Sequence, residues 1–203
     1  MTGRHRTTMI RRAATAVSTA AVMALVGPTA IAGTPAARTT QVSPDVAATT
    51  VLTWPELVKL LRIPKPGGWA SGDLTSWELT GEVSASRVFS NSQTTGPFTM
   101  IATAVDTWED AAASTQMWNT IQDEAAKKEG VTVISRTPSR SVLYGVGQYN
   151  ERGVSVYLLF GPWSVSASCY TNRPKVSVGT LTACATKTAK AQQKKAAPVI
   201  APG

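Results

Sequence analysis

Histidine is nearly missing from this chain. The one copy, His5, sits among arginines at the start, and none follows in the remaining residues of the 203. Beyond residue 5 there is no Ser-His-Asp or Cys-His couple, no imidazole ligand for a metal and no imidazole proton shuttle. Cysteine is almost as scarce. Cys169 and Cys184 are the only two, their spacing is not C-x-x-C, and two thiols without a histidine make a poor metal site. No G-x-S-x-G, P-loop or calcium-loop pattern occurs, and Gly145-x-Gly147 lies inside a strand pattern with no helix behind it. No apolar run reaches the roughly 20 residues of a membrane-spanning helix. These absences predict no catalytic residue, no metal and no cofactor. An enzyme here would rest on carboxylates, and Glu78, between Trp77 and Leu79, is the best candidate acid. An outward strand position between buried neighbours is the simpler account of Glu78. Asp106, Glu109 and Asp110 read as the acidic start of a helix.

What is present begins with an address. Arg4, Arg6, Arg11 and Arg12 form a basic stretch without an acid, Ala13 to Val26 is apolar and uncharged, and Ala30-Ile31-Ala32 precedes Gly33. That order is a secretory signal peptide over residues 1–32. Export makes the expected location extracellular, either free or associated with the cell wall, with no membrane span in the mature chain. Residues 33–50 are rich in Pro, Ala and Thr and read as a flexible linker. Residues 51–195 make one domain, and 196–203 are expected to be a disordered tail. Without the leader, 16 bases face 12 acids. Residues 33–171 hold ten of those bases and all twelve acids, so the six bases from Arg173 onward face no acid.

Local patterns outline the domain. Thr53 to Ile63 reads as a short helix, capped by Thr53 with Pro55 in its first turn. Strand patterns cover Ser76 to Leu79, Val83 to Phe89 and Phe98 to Val105. Thr107 to Glu129 reads as the long helix, with Trp108, Ala112, Thr115, Trp118, Ile121 and Ala125 on one stripe. Strands over Val131 to Ser135, Val142 to Tyr149, Val154 to Phe160 and Trp163 to Tyr170 follow as a meander. Val178 to Gln193 is a final helix. The class is α+β: an antiparallel sheet of about six to seven strands, with the long helix and the C-terminal helix packed on one face.

Cys169 shares strand parity with Trp163, Val165 and Ala167, and Cys184 lies on the Leu181 side of the last helix. In an oxidising compartment these two are expected to form a disulfide tethering the helix to the sheet. Closing a loop of 15 residues contributes about 3 kcal/mol in the chain-entropy account.

The other strand parity carries the case for binding. It brings Ser166 and the tyrosines Tyr149, Tyr157 and Tyr170 to one shallow face rich in small residues and hydroxyls, which suits a flat ligand or a partner. A solvated face, or one covered by the first helix, is the competing reading. Lys187, Lys190, Lys194 and Lys195 make a candidate contact for an anionic surface, weak and salt-sensitive. Nucleic acid is excluded by the modest charge, the compartment and the lack of a binding motif.

The exported start, LVKLLRIPKPGGW, the Trp-bearing helix after a hairpin, and WSVSASCYTNRPKVSVGTLTACATKTAKA together resemble small secreted actinobacterial envelope domains of PsbP-like layout. The extracellular sensor domains of certain membrane serine/threonine kinases are among them. The resemblance spans about residues 52–195. It implies a module that binds a ligand or partner without catalysis, the partner being an envelope ligand or a protein. Two alternatives stand beside it: a small carboxylate-based hydrolase of wall polymer, and a secreted protease inhibitor presenting the loop Asn91 to Pro97.

Overall fold

The computed structural model describes residues 42–63, 68–79, 81–92, 96–147 and 151–201. The leader expected over 1–32 lies outside the described residues, as does Tyr149. In chain order the elements are α1 (Pro44–Thr50), α2 (Trp54–Leu61), β1 (Trp69–Ser71), β2 (Thr75–Leu79), β3 (Glu82–Asn91), β4 (Met100–Trp108), α3 (Ala111–Lys127), β5 (Val131–Thr137), β6 (Arg140–Val146), β7 (Arg152–Phe160), β8 (Trp163–Thr171) and α4 (Val178–Ile200).

The class is α+β. One antiparallel sheet runs β1-β3-β4-β8-β7-β6-β5, and β2 joins β1 along the same edge of β3. The meander of four strands forms as the alternation predicts, and the β3–β4 hairpin docks on β8 with Ile101 opposite Cys169. The edge strand breaks at Gly72, whose N–H donates to the Val88 carbonyl at 2.7 Å. A Cβ at Gly72 would meet that oxygen at 2.9 Å, so only glycine fits.

Alternation sorts each strand's side chains to two faces. The first face carries Phe89, Ile101, Val142, Val154, Val156, Ala167 and Cys169, and buries them against Leu52 and Leu57 below and Leu181, Ala185 and Ala189 of α4. Each large apolar side chain enclosed there contributes about 1.5–3 kcal/mol. Cys169 and Cys184 are bonded, with Cα atoms 6.2 Å apart, so the last strand and the last helix are tied as their parity required.

Four expectations change. The helices do not share one face. Trp118 of α3 packs on Tyr157, which alternates with Val156 and Leu158, so α3 covers the second face while α4 covers the first. Helix α3 also begins later, at Ala111, because Asp110 and not Thr107 caps it, accepting from the Ala113 N–H at 2.7 Å. Thr107 and Trp108 instead continue the ladder opposite Val83 and Glu82.

The linker expected over 33–50 ends in helix α1. Ser43 caps it, and Ala47 is buried against Val83 and Ala85. The tail expected over 196–203 is helical as far as Ile200. Ala196 is fully buried against Val105, Trp163 and Val165, and this packing carries the helix through Pro198 in its last turn. The helix expected over Thr53 to Ile63 forms as Trp54–Leu61, with the Thr53–Glu56 capping box in place.

Gln192 links the N-terminal helices to α4. Its Nε2 donates to Thr50 O at 2.7 Å, and its Oε1 accepts from Leu52 N–H at 3.0 Å and from the Thr103 hydroxyl at 2.8 Å. All of this lies at zero exposure for Gln192. No described helix is long and apolar enough to cross a membrane.

Candidate functional site

The second face of the sheet is polar where a packed layer would ordinarily be apolar. Reading across the strands, Ser84, Asp106, Ser164 and Leu159 make one row, and Ser86, Ala104, Ser166, Tyr157 and Ser141 the next. Val88, Ala102, Ser168, Ser155 and Leu143 make the third row. Ser90, Met100, Tyr170, Gly153 and Gly145 make the fourth. Helix α3 lies over part of this face. It is held by the Ser114 hydroxyl donating to Gly161 O, by the edge-on contact of Trp118 with Tyr157 at 6.3 Å, and by Arg136 donating to Asp123 at 2.7 Å. The Arg136 pair is exposed and contributes little.

The residues on the face fall into two groups. One is internally satisfied. Ser84 donates to Asp106 Oδ1 at 2.6 Å, Ser164 donates weakly to Oδ2 at 3.4 Å, and the Ser155 and Ser168 hydroxyls pair at 2.7 Å. The other group is enclosed without partners. Glu82 Oε1, Trp108 Nε1, Trp118 Nε1, both polar atoms of Gln122 and Ser141 Oγ make no hydrogen bond to another group of the protein. Gln122, Trp118 and Ser141 are at most 4% exposed. Buried polar groups are normally paired, and an orphan costs about 1–3 kcal/mol. Among the described residues six such atoms lie on α3 or the sheet face beneath it, against two, Arg87 Nε and Thr188 Oγ1, on the other side of the sheet.

Two carboxyls add an electrostatic feature. Glu82 and Asp106 sit on neighbouring strands in adjacent rows, both buried. Burial, and then the charge of Asp106, push Glu82 up to about 7. Burial also raises Asp106, to about 6, against the pull of the Ser84 and Ser164 hydroxyls. Burial, with Tyr170 nearby, likewise pushes the Tyr157 phenol up.

Three of the four face residues read from parity are described, and they come together. Tyr157 and Ser166 are directly opposed across β7 and β8, and Tyr170 lies two rows further along the same face, beyond the Ser155–Ser168 pair, its ring over Gly153. A side chain at Gly153 would run into that ring. The helix covering the face is α3, however, and not the first helix. Sequence reasoning missed Asp106, Glu82, Trp108, Trp118 and Gln122. It placed Trp108 and Asp106 at the start of a helix, and it took Trp118 for core. Extending the alternation of Phe98 to Val105 by three residues would have placed Asp106 on the serine face. Glu78, the acid favoured from sequence, is exposed on β2 opposite Val83, near this pair along β3 but at the parity of the other face.

The lysine group splits. Lys187, Lys190 and Lys194 are exposed along α4. Lys195 is committed to Glu56 at 2.8 Å and Val51 O at 2.9 Å.

No protein-family model and no curated protein matches this chain. Among solved structures, the extracellular domain of PknH from Mycobacterium tuberculosis is similar in fold. It has a TM-score of 0.51 at 11% identity, over 76% of this chain and 98% of that one. At that identity the likeness is one of architecture: the two chains share a layout of sheet and helices.

Proposed function

We propose that this chain is an exported, non-enzymatic binding module of the cell envelope that seats a polar ligand between α3 and the serine face of the sheet. The carrying observation is the set of enclosed, unpartnered groups there: two indole N–H donors, the Gln122 amide, Ser141 and Glu82 Oε1. Aromatic rings beside hydroxyls, an amide and carboxyls match the chemistry of a polyhydroxylated ligand such as a wall-glycan fragment. The signal-peptide pattern over 1–32, the Cys169–Cys184 bond and the fold likeness to an extracellular domain support the compartment.

The test is a titration of the exported, disulfide-intact protein with soluble disaccharide and muropeptide fragments. Trp108 and Trp118 are the reporters. A saturable change in tryptophan emission that weakens in Ser166→Val and Tyr170→Ala is expected. No saturable change across the fragments would remove the reading.

One observation favours a second reading. Glu82 and Asp106 are carboxyls on neighbouring strands whose pKa values are raised to different extents, and glycoside hydrolysis uses a carboxyl pair with one member held protonated. Both are buried, at 8% and 2% exposure, as are Gln122, Ser141 and Trp118, so in either reading a ligand reaches this face only when α3 moves. Release of reducing ends by the wild type, lost in Glu82→Gln, would establish the hydrolase instead.

A further inference from the structure

Helix α4 has an outward side that the disulfide and the core do not use. Gly179, Thr182, Ala183 and Thr186 keep it low, and together with Ile134 and Val178 they line a shallow groove of about 700 Å³ between α4 and β5. That volume lies within the range of small-ligand sites. Ile134 reaches this groove because the β5–β6 register slips between Val133 and Ser135. A bulge of this kind frees one residue from the ladder and re-aims its side chain. Ile134 is 45% exposed and Val178 36%. Lys187 and Lys190, one turn apart on α4, close one end of the groove, and no acid lines it. Indeed no acid occurs anywhere after Glu151. The groove is thus apolar along its floor and cationic at one end, over about 18 Å of helix from Val178 to Lys190.

We propose that this groove binds a single-chain carboxylate amphiphile, with the alkyl chain along Val178, Ala183 and Ile134 and the carboxylate between Lys187 and Lys190. Charge complementarity selects the head group, and the apolar floor selects the chain. This site lies on the opposite side of the sheet from α3 and does not depend on the polar ligand proposed there.

The experiment uses the full disulfide-intact protein with decanoate and decanol below their aggregation limits, followed by chemical-shift titration. Decanoate should bind saturably and more tightly than decanol by about three- to tenfold, the range expected from two exposed ion pairs. Lys187→Gln with Lys190→Gln should bring decanoate to the level of decanol and leave decanol unchanged. Ala183→Trp, a change at an exposed position that fills the groove, should abolish both. Ser166→Val, on the other face, should alter neither. Equal binding of decanoate and decanol overturns the proposal, as does decanoate binding unchanged in the double lysine variant. Attachment to phosphatidylglycerol vesicles without decanoate binding would assign the lysines to a membrane surface, and would also overturn it.

Discussion

Gln192 and Gln122 are each enclosed beneath one of the two long helices, yet their surroundings are opposite. Gln192, under α4, makes three hydrogen bonds to Thr50, Leu52 and Thr103. Gln122, under α3, makes none. The same side chain is therefore a structural joint on one face of the sheet and an unmet demand on the other. The first face is packed by apolar side chains, the disulfide and a satisfied amide, and it holds two unpartnered polar atoms, Arg87 Nε and Thr188 Oγ1. The second leaves more of them, with Gln122, the indoles of Trp108 and Trp118 and Ser141 all unpartnered among the described residues.

The largest expected effect sharpens this contrast. Gln192→Leu leaves a carbonyl, an N–H and a hydroxyl buried without a partner, and should lower stability by on the order of 3–6 kcal/mol in urea denaturation. A loss below about 1 kcal/mol would erase the distinction between the faces. Trp118→Ala should cost roughly 3–5 kcal/mol, since its ring fills the space between α3 and Tyr157. An unchanged denaturation midpoint would mean that α3 is not seated on the sheet. Replacing both Cys169 and Cys184 by Ala should cost about 3 kcal/mol. Thermal unfolding of that variant, compared with wild type under non-reducing conditions, measures it.

The carboxyl pair makes the second face sensitive to pH. Glu82 and Asp106 hold their protons more tightly folded than unfolded. The unfolded chain ionises first as pH rises above about 4, so stability should fall from there until the folded groups have ionised near pH 7. The protein should be more stable at pH 5 than at pH 8, by on the order of 2 kcal/mol. Glu82→Gln should flatten that slope, and a slope of the opposite sign would show the pair ionised and compensated. The smallest effect is expected at Gln122. Gln122→Leu removes an unpaired buried amide and should stay within about 1 kcal/mol of wild type, or stabilise. A loss comparable to that of Gln192→Leu would show that Gln122 is already satisfied.

The strands were legible because alternation is a local property, readable residue by residue. The cap at Thr53 was legible for the same reason, and so was the shared core parity of Cys169 and Cys184. The start of α3 was not. Thr107 and Asp110 both look like caps, and the choice falls to Thr107 pairing with Val83 in the ladder. Helix α1 was hidden by a Pro/Ala/Thr composition, and it forms where Ala47 meets Val83 and Ala85 and where Gln192 binds Thr50. Gln192 and Thr50 are 142 residues apart. The continuation of α4 past Gln193 likewise rests on Ala196 against Val105 and Trp163.

The sequence by itself determined the chemical inventory: no histidine in the domain, two cysteines with matching parity, and a strand face of serines and tyrosines. These follow from composition and from a period of two, which need no knowledge of neighbours. Only the tertiary structure decided that α3 and α4 take opposite faces, that Asp106 and Glu82 become neighbours away from water, and that one buried glutamine is satisfied while the other is not. Burial and pairing depend on which distant segments meet, and no local pattern encodes that.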